Sequence, residues 1–214
     1  MISLDVAGEQ LELRGDRTIH WRSQQALLLA DPHFGKANTF RSAGLPIPGH
    51  ATGSLKILSD ALTATRAQRL LILGDFWHHR SGCTPDLLLE LALWRTQHTS
   101  LAIDLIRGNH DRTAVPESWA DGWTAEPCQL GPFVFQHYPA NRDDGYVLAG
   151  HLHPGCRISG RGRQSITLPC YHITPGCMIL PAFGALTGLH IVNPMPGDRL
   201  VAIAHGEVIE VPVL

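Results

Sequence analysis

The rhythm of apolar and polar positions along the chain changes at about residue 130. Before it, short apolar runs alternate with stretches of helical period. Residues 2–6 and 10–13 alternate apolar with polar, which predicts a hairpin turning at Ala7–Gly8–Glu9. Ala26–Ala30 is apolar throughout, as expected of a strand buried on both faces. From Ser54, a candidate N-cap, Leu55, Leu58, Ala61, Leu62 and Thr65 share one helical face. A strand over Arg69–Leu73 comes next. Pro85 then opens a second helix, with Leu88, Leu89, Ala92 and Leu93 as its apolar positions, and Leu101–Ile106 reads as the next strand. Strand alternating with helix predicts a parallel α/β half. Beyond residue 130, runs at 132–137, 145–149, 165–173, 177–182, 199–204 and 207–213 are strand-like with short turns. The expectation is two sheets packed face to face with helices outside. With no internal repeat and no linker, residues 1–214 read as a single domain.

The predicted strands end in strings of one chemical character. DPH (Asp31–His33) lies just past the first buried strand, GD (Gly74–Asp75) past the second and GNHD (Gly108–Asp111) past the third. His137 comes after Phe133–Phe135, and GHLH (Gly150–His153) after Tyr146–Ala149. Any one of these strings has an ordinary explanation: Asp31 as a turn or cap residue, Asp75 as a turn residue, His137 as a core histidine. All five in order, each at a strand end, bring carboxylates, imidazoles and one carboxamide to a single sheet edge. That is the composition of a site for two divalent metals. A carboxylate such as Asp75 can bridge two cations, one per oxygen. In GNHD, Asn109 supplies a neutral oxygen, His110 can donate a proton, and Asp111 can hold that imidazole in the right tautomer. Two cations ~3.5–4 Å apart can lower the pKa of a shared water toward ~7 and clamp the oxygens of an in-line displacement at phosphorus. A donor set without thiolate suits Mn, Fe or Zn better than Mg or Ca.

Composition adds limits. The chain has 17 Lys+Arg against 19 Asp+Glu, so no global basic field draws it to nucleic acid or an anionic membrane, and any nucleic-acid contact must be local. Five cysteines, an odd number with no CxxC spacing, argue against a disulfide framework and a zinc knuckle. The charged start and the lack of an apolar run near ~20 residues predict a cytoplasmic protein with reduced thiols and no membrane span.

The five blocks resemble the motif series of the calcineurin-like metallophosphoesterases: DxH, GD, GNHD/E, H and GHxH. The resemblance implies a four-layer α/β/β/α sandwich, one metal held by Asp31, His33, Asp75 and His153, and a second by Asp75, Asn109, His137 and His151. His110 would be the non-ligand histidine near the leaving group, with Asp111 behind it. The stretches DPHFGKANTFRSAGLPIP, GDFWHHR, GHLHPGCRISGRGR and LPAFGALTGLHIVNP are similar to bacterial ligase-associated DNA-damage-response endonucleases, the PdeM family. That likeness implies a DNA phosphodiesterase acting in repair; among the metals that suit the donor set, manganese is the one expected, with Fe or Zn as alternatives. It also implies functional association with an ATP-dependent DNA ligase, an exonuclease and a helicase. Pro32 and Trp77 are small departures from that family's pattern.

Outside the motifs, Lys36 and Arg41 come after the first block and Arg157, Arg161 and Arg163 after the last, where phosphate contacts or plain solvation would each fit. Phe34, Phe40, Phe76 and Trp77 are candidate base-stacking or core residues. At least one of His78 and His79 is expected to line the cleft, and Arg107 is a phosphate or structural contact. Cys170, His172 and Cys177 match no common zinc spacing and read as interior residues. A small-molecule phosphoesterase or nucleotide pyrophosphatase is the alternative enzyme reading. A non-catalytic scaffold of the same fold is the third, disfavoured by the intact donor set.

Overall fold

In the computed structural model, the described residues are 1–45, 47, 51–120, 123–160, 162 and 164–213. The first sheet takes the order β1 (Ile2–Val6), β2 (Glu9–Leu13), β3 (Ile19–Trp21), β4 (Ala26–Leu29), β5 (Arg69–Leu73) and β6 (Ala102–Ile106). Its first four strands pair antiparallel, and β4–β5 and β5–β6 pair parallel. The predicted hairpin is present: Val6 pairs with Glu9 across a two-residue turn in which Ala7 and Gly8 both have positive φ.

The second sheet holds β7 (Cys128–Leu130), β8 (Phe133–Phe135), β9 (Tyr146–Ala149), β10 (Pro154–Ser159), β11 (Ser165–Ile173), β12 (Cys177–Ile179), β13 (His190–Ile191), β14 (Arg199–Ala204) and β15 (Glu207–Val211). Its order is β13-β10-β11-β12-β9-β8-β7, with β14 pairing β11 and β15 pairing β14.

The sheets stack face to face over one shared core. Alternate residues Leu11, Leu13, Trp21, Leu28, Leu71 and Leu73 of the first meet Phe133, Phe135, Leu148, Tyr171 and Val201 of the second. The other face of the first sheet, including Leu27, Leu29, Leu70, Ile72 and Leu105, is covered by helices. These are α2 (Ala51–Thr65) and α3 (Pro85–Gln97), while α1 (Lys36–Ser42) buries no residue and stands outside that cluster. Two stacked sheets with helices over the outer face of the first make an α/β sandwich. Among the described residues, every α-helix lies before residue 98. Over the outer face of the second sheet, Cys156, Cys170, Leu200 and Ala202 pack with Val192, Val211 and Val213.

Two details correct the sequence reading. Ser54 lies inside α2, which begins at Ala51, although Leu55, Leu58, Ala61 and Leu62 do form the buried face. In α3, capped by Thr84 with Pro85 in its first turn, the buried face is Leu87, Leu91 and Trp94. Leu88, Leu89 and Leu93 point outward. Leucines flank both sides of this helix, so apolar spacing alone picks no face. Trp94 decides it: the indole stacks on Trp119 at 4.7 Å and donates to the Ser59 hydroxyl of α2.

Register brings the chemistry together. Leu29 pairs with Ile72 and Leu73 with Ile106, so β4, β5 and β6 end within one residue of one another, and Asp31, Asp75 and Gly108 each stand two residues beyond their strand. In the second sheet, β8 and β9 run parallel with Phe135 opposite Leu148, and the Gly150 N–H donates to the His137 carbonyl. Both carboxyl edges open on one cleft, where open α/β sheets place their ligands.

Candidate metal centre

Asp31 and His33 leave β4 in left-handed backbone, at φ of 52° and 47°; Asp75, His151 and His153 do the same at 49°, 72° and 49°. An L residue held there costs roughly 1–2 kcal/mol. Five such residues at one centre mark a loop set shaped for side-chain convergence rather than for backbone comfort. The LPAFG segment braces it, because Phe183 and Gly184 donate their N–H groups to the carbonyls of Ala30 and Asp31. Arg17 donates in turn to the carbonyls of Ala182 and Gly184, a support that no sequence motif announced.

Two clusters form. In the first, Nε2 of His33 lies 3.2 Å from Nε2 of His153, and His153 Nε2 lies 3.8 Å from Asp31 Oδ2. In the second, Nε2 of His137 lies 3.0 Å from Asn109 Oδ1 and 3.1 Å from His151 Nδ1. Asp75 stands between them, its Oδ1 3.6 Å from His137 Nε2 and its Oδ2 3.8 Å from His33 Nε2. One carboxylate thus offers one oxygen to each group. His137 Nδ1 sits 3.2 Å from the Leu73 carbonyl, which fixes the ring with Nδ1 protonated and the Nε2 lone pair facing inward. The His137 backbone N–H donates to Glu126, a second support that the motifs did not reveal. Two sets of three donors, Asp31–His33–His153 and Asp75–His137–His151, each bring their donor atoms within 4.8 Å of one another. A third set, His33–His78–His110, flanks the first and carries no carboxylate.

The electrostatics suit cations. Asp31 is fully buried, and burial followed by repulsion from Asp75 drives its carboxyl well above the usual range. Asp31 Oδ1 and His33 Nδ1 are buried with no hydrogen-bond partner among the described residues. Burial, then the Lys36 ammonium and neighbouring imidazoles, pushes His33 down to about 2. Burial and Lys36 also push His153 down to about 4. These rings are neutral at pH 7, with lone pairs available for coordination. Paired carboxylates, neutral imidazoles facing one another and an orphaned carboxylate oxygen fit two divalent cations. The donor types and the carboxylate between the two clusters make this a candidate dimetal centre.

Two of the motif glycines are required by contact. A Cβ on Gly108 would overlap the Asp75 carboxylate and its backbone nitrogen, and one on Gly74, at φ 83°, would overlap the His137 ring. Gly108→Ala is therefore expected to displace Asp75 and cost ~10²-fold or more in turnover, the scale of a 1 Å misplacement. Steady-state kinetics beside a thermal melt checks this, because the melt should change far less than the rate.

The GNHD motif departs from its expected arrangement. Asp111 does not face the His110 ring. Its buried carboxylate accepts the backbone N–H groups of Phe76, Trp77 and Gly108, tying the second and third metal loops together. Burial raises it to about 6 against those hydrogen bonds. The partner of His110 Nδ1 is instead the His78 carbonyl at 2.8 Å. A main-chain acceptor leaves no trace in sequence. His110 is exposed, its Nε2 4.0 Å from Asp75 Oδ2, and its ring stacks on that of His78. His78 does line the cleft, beside His33. His79 turns away, accepting the Ser81 N–H at the start of a short helical turn.

Other candidates fall into place. Phe34, Phe76 and Trp77 are buried and pack in one cluster with Trp119, so they are core and not base platforms. Phe40 remains partly exposed beside His78. The exposed Tyr138 ring lies 4.4 Å from that of His151, a neighbour that the motifs did not flag. Arg107 donates to the Asp111 carbonyl, a structural contact. Arg41 donates to Asn38. Arg157 is exposed on β10 rather than in a loop at the cleft, four strand residues or roughly 13 Å beyond His153. Arg161 and Arg163 lie outside the described residues. Cys170 and Cys177 are buried free thiols, and His172 pairs with Asp198. Among the described residues, no helix is long and apolar enough to cross a membrane.

Comparison with known proteins agrees with this geometry. No family model and no curated protein matches the chain. Among solved structures, it is similar to the Pseudomonas putida nuclease MPE, with 36% identity over 97% of this chain and 99% of that one, at a TM-score of 0.84. It also overlaps the E. coli phosphoesterase Yfce at 15% identity over 87% of this chain and 97% of that one. The TM-score there is 0.44, too loose to bear on function.

Proposed function

Because the chain belongs to the family of the Pseudomonas putida nuclease MPE, within the calcineurin-like metallophosphoesterases, we propose that it is a dimetal phosphodiesterase that cuts DNA, with manganese as its best metal. The observation that carries this reading is Asp75, whose two oxygens face two different imidazole clusters. Asp31, His33, Asp75 and His153 would hold one cation, and Asp75, Asn109, His137 and His151 the other. When bound, the pair supplies an activated water and positive charge for the phosphorane-like transition state.

The chain's own groups do the rest. His110 is exposed enough, at 40%, to meet a substrate, and its Nδ1–H is held by the His78 carbonyl. In its imidazolium form the ring presents Nε2–H toward the cleft and gives that proton to the departing alkoxide. Asp111 acts at one remove, by fixing the loops that carry Asp75 and His110. Action in DNA repair beside a ligase, an exonuclease and a helicase is implied by the resemblance to PdeM. Genes for those enzymes beside this one would support it.

The test is a metal-screened assay on labelled single strands, duplexes, flaps, cyclic nucleotides and a nucleotide pyrophosphate. Oligonucleotide cleavage should be fastest with Mn²⁺, and an aryl diester should outpace the aryl monoester. Preference for the pyrophosphate or monoester over every oligonucleotide would overturn the nuclease reading while leaving the dimetal centre standing.

Ligand roles predict separable losses. Asp31→Ala or His153→Ala should empty one site preferentially, and Asn109→Ala or His151→Ala the other, as read by metal analysis. Chelation should also destabilise the fold, because the cations bind the native state alone. Free metal at 1,000 times Kd contributes ~4 kcal/mol, which in a chain of 214 residues is on the order of 10 °C in Tm. A melt unchanged by EDTA would contradict it.

A further inference from the structure

Beside the metal centre, on the side of His33, a cavity of about 280 Å³ opens between the first metal loop, α2 and the segment after Phe183. Its walls are apolar: Pro32, Phe34, Ile57, Ala185 and Leu186. Ile57 and Leu186 stand 45% and 41% exposed there, so their side chains are available to a ligand. Lys36, half-buried, also lines it; its ammonium makes no hydrogen bond or ion pair with any described residue and feels only the more distant attraction of the Asp75 and Asp31 carboxylates. The volume lies at the lower edge of the ~300–1,000 Å³ that encloses drug-sized ligands, room for a single ring system with its sugar. An apolar cavity and an ammonium in its lining complement the base and the phosphate of a nucleotide, and His33 is a wall shared with the metal centre.

We infer that this cavity seats one nucleoside of the substrate, and that Lys36 meets a phosphate oxygen of the same strand. The inference rests on the phosphodiesterase reading above and adds where the strand lies. The nucleoside attached to the scissile phosphorus leaves the metals on the His33 side, its base covered by Ile57 and Leu186. A base can enter such a cavity only when it is not stacked in a duplex.

Two diesters with the same nitrophenyl leaving group test it: methyl p-nitrophenyl phosphate and thymidine 5′-(p-nitrophenyl phosphate), both with Mn²⁺. The parent should show a KM roughly tenfold lower for the thymidine ester, the scale of covering one ring. Ile57→Trp and Ala185→Leu each reduce the cavity's volume, and neither residue is a metal donor. Each should raise the thymidine KM to that of the methyl ester, with kcat unchanged. Methyl-ester turnover, equal to the parent's, certifies the fold of each variant. For Lys36→Met, the slope of log KM against log salt on an oligonucleotide should become shallower by about 0.7, one phosphate contact fewer. A parent that turns over both diesters with equal KM overturns the cavity assignment alone. Variants that lose both diesters equally overturn it as well. A parent that hydrolyses neither diester and cuts no oligonucleotide overturns the phosphodiesterase reading, and the cavity assignment with it.

Discussion

Asp75→Asn should abolish hydrolysis, by at least ~10³-fold, and deplete both metals together. The side chain is buried, and its two oxygens face separate clusters, Oδ1 toward His137 and Oδ2 toward His33. A carboxamide keeps the shape but offers one good oxygen and no charge, so it can serve one cluster at most. The remaining Asp31 carboxylate cannot neutralise two divalent ions. The substitution also replaces the oxygen that accepts the His110 N–H, or turns an amide group toward it, which loosens the GNHD loop. Elemental analysis and turnover on an aryl diester check the prediction. A variant that retained two equivalents of metal and near-normal turnover would show that Asp75 bridges nothing. Loss of a single equivalent would make it a ligand to one site only.

His110→Ala should behave in the opposite way, keeping both metals and turning over slowly. His110 contributes no donor atom to either carboxylate-bearing cluster, and its ring is held from outside by the His78 carbonyl. A positioned general acid is worth on the order of 10²–10⁴ in rate. The loss should be large for a DNA strand, whose leaving alkoxide needs a proton, and small for a nitrophenyl ester, whose leaving group does not. Comparing kcat on the two substrates reads this directly. Equal losses on both, with metals retained, would assign His110 to phosphate binding instead. Asp111→Asn offers a contrast. It should slow both substrates alike, because its carboxylate fixes the loops of Asp75 and Gly108 and holds no proton for the leaving group.

The sequence and the structure agree most closely where side chains meet backbone pattern. The buried runs Ala26–Ala30 and Arg69–Leu73 are strands, and the residues just beyond them reach the cleft, because parallel strands paired in register must deliver their ends to one edge. The His and Asp blocks were legible for the same reason. Each sits at a fixed distance past a strand, and chemistry at that distance is visible in one dimension. The hidden features are carried by the main chain or by alternatives of equal hydrophobicity. The His78 carbonyl that orients His110 has no side-chain signature, so Asp111, its neighbour in sequence, looked like the natural partner. In α3, Leu88, Leu89 and Leu93 match a helical face as well as Leu87 and Leu91 do, and only the packing of Trp94 against Trp119 separates them. Strand β10 was missed because Pro154 and Gly155 open it and Arg157 and Ser159 dilute it. That is why a basic strand read as a loop. Trp77, placed among candidate base platforms, is buried in the helix-side cluster, and its indole donates to the Ala114 carbonyl.

The most direct test titrates metal-free protein with Mn²⁺ while tracking bound metal and cleavage of a labelled single-stranded oligonucleotide in the same samples. Activity should be nearly absent at one equivalent, rise as the second binds and plateau at two, with Asp75→Asn inert throughout. Full cleavage in the presence of excess chelator, or a plateau at one equivalent, would contradict a dimetal nuclease.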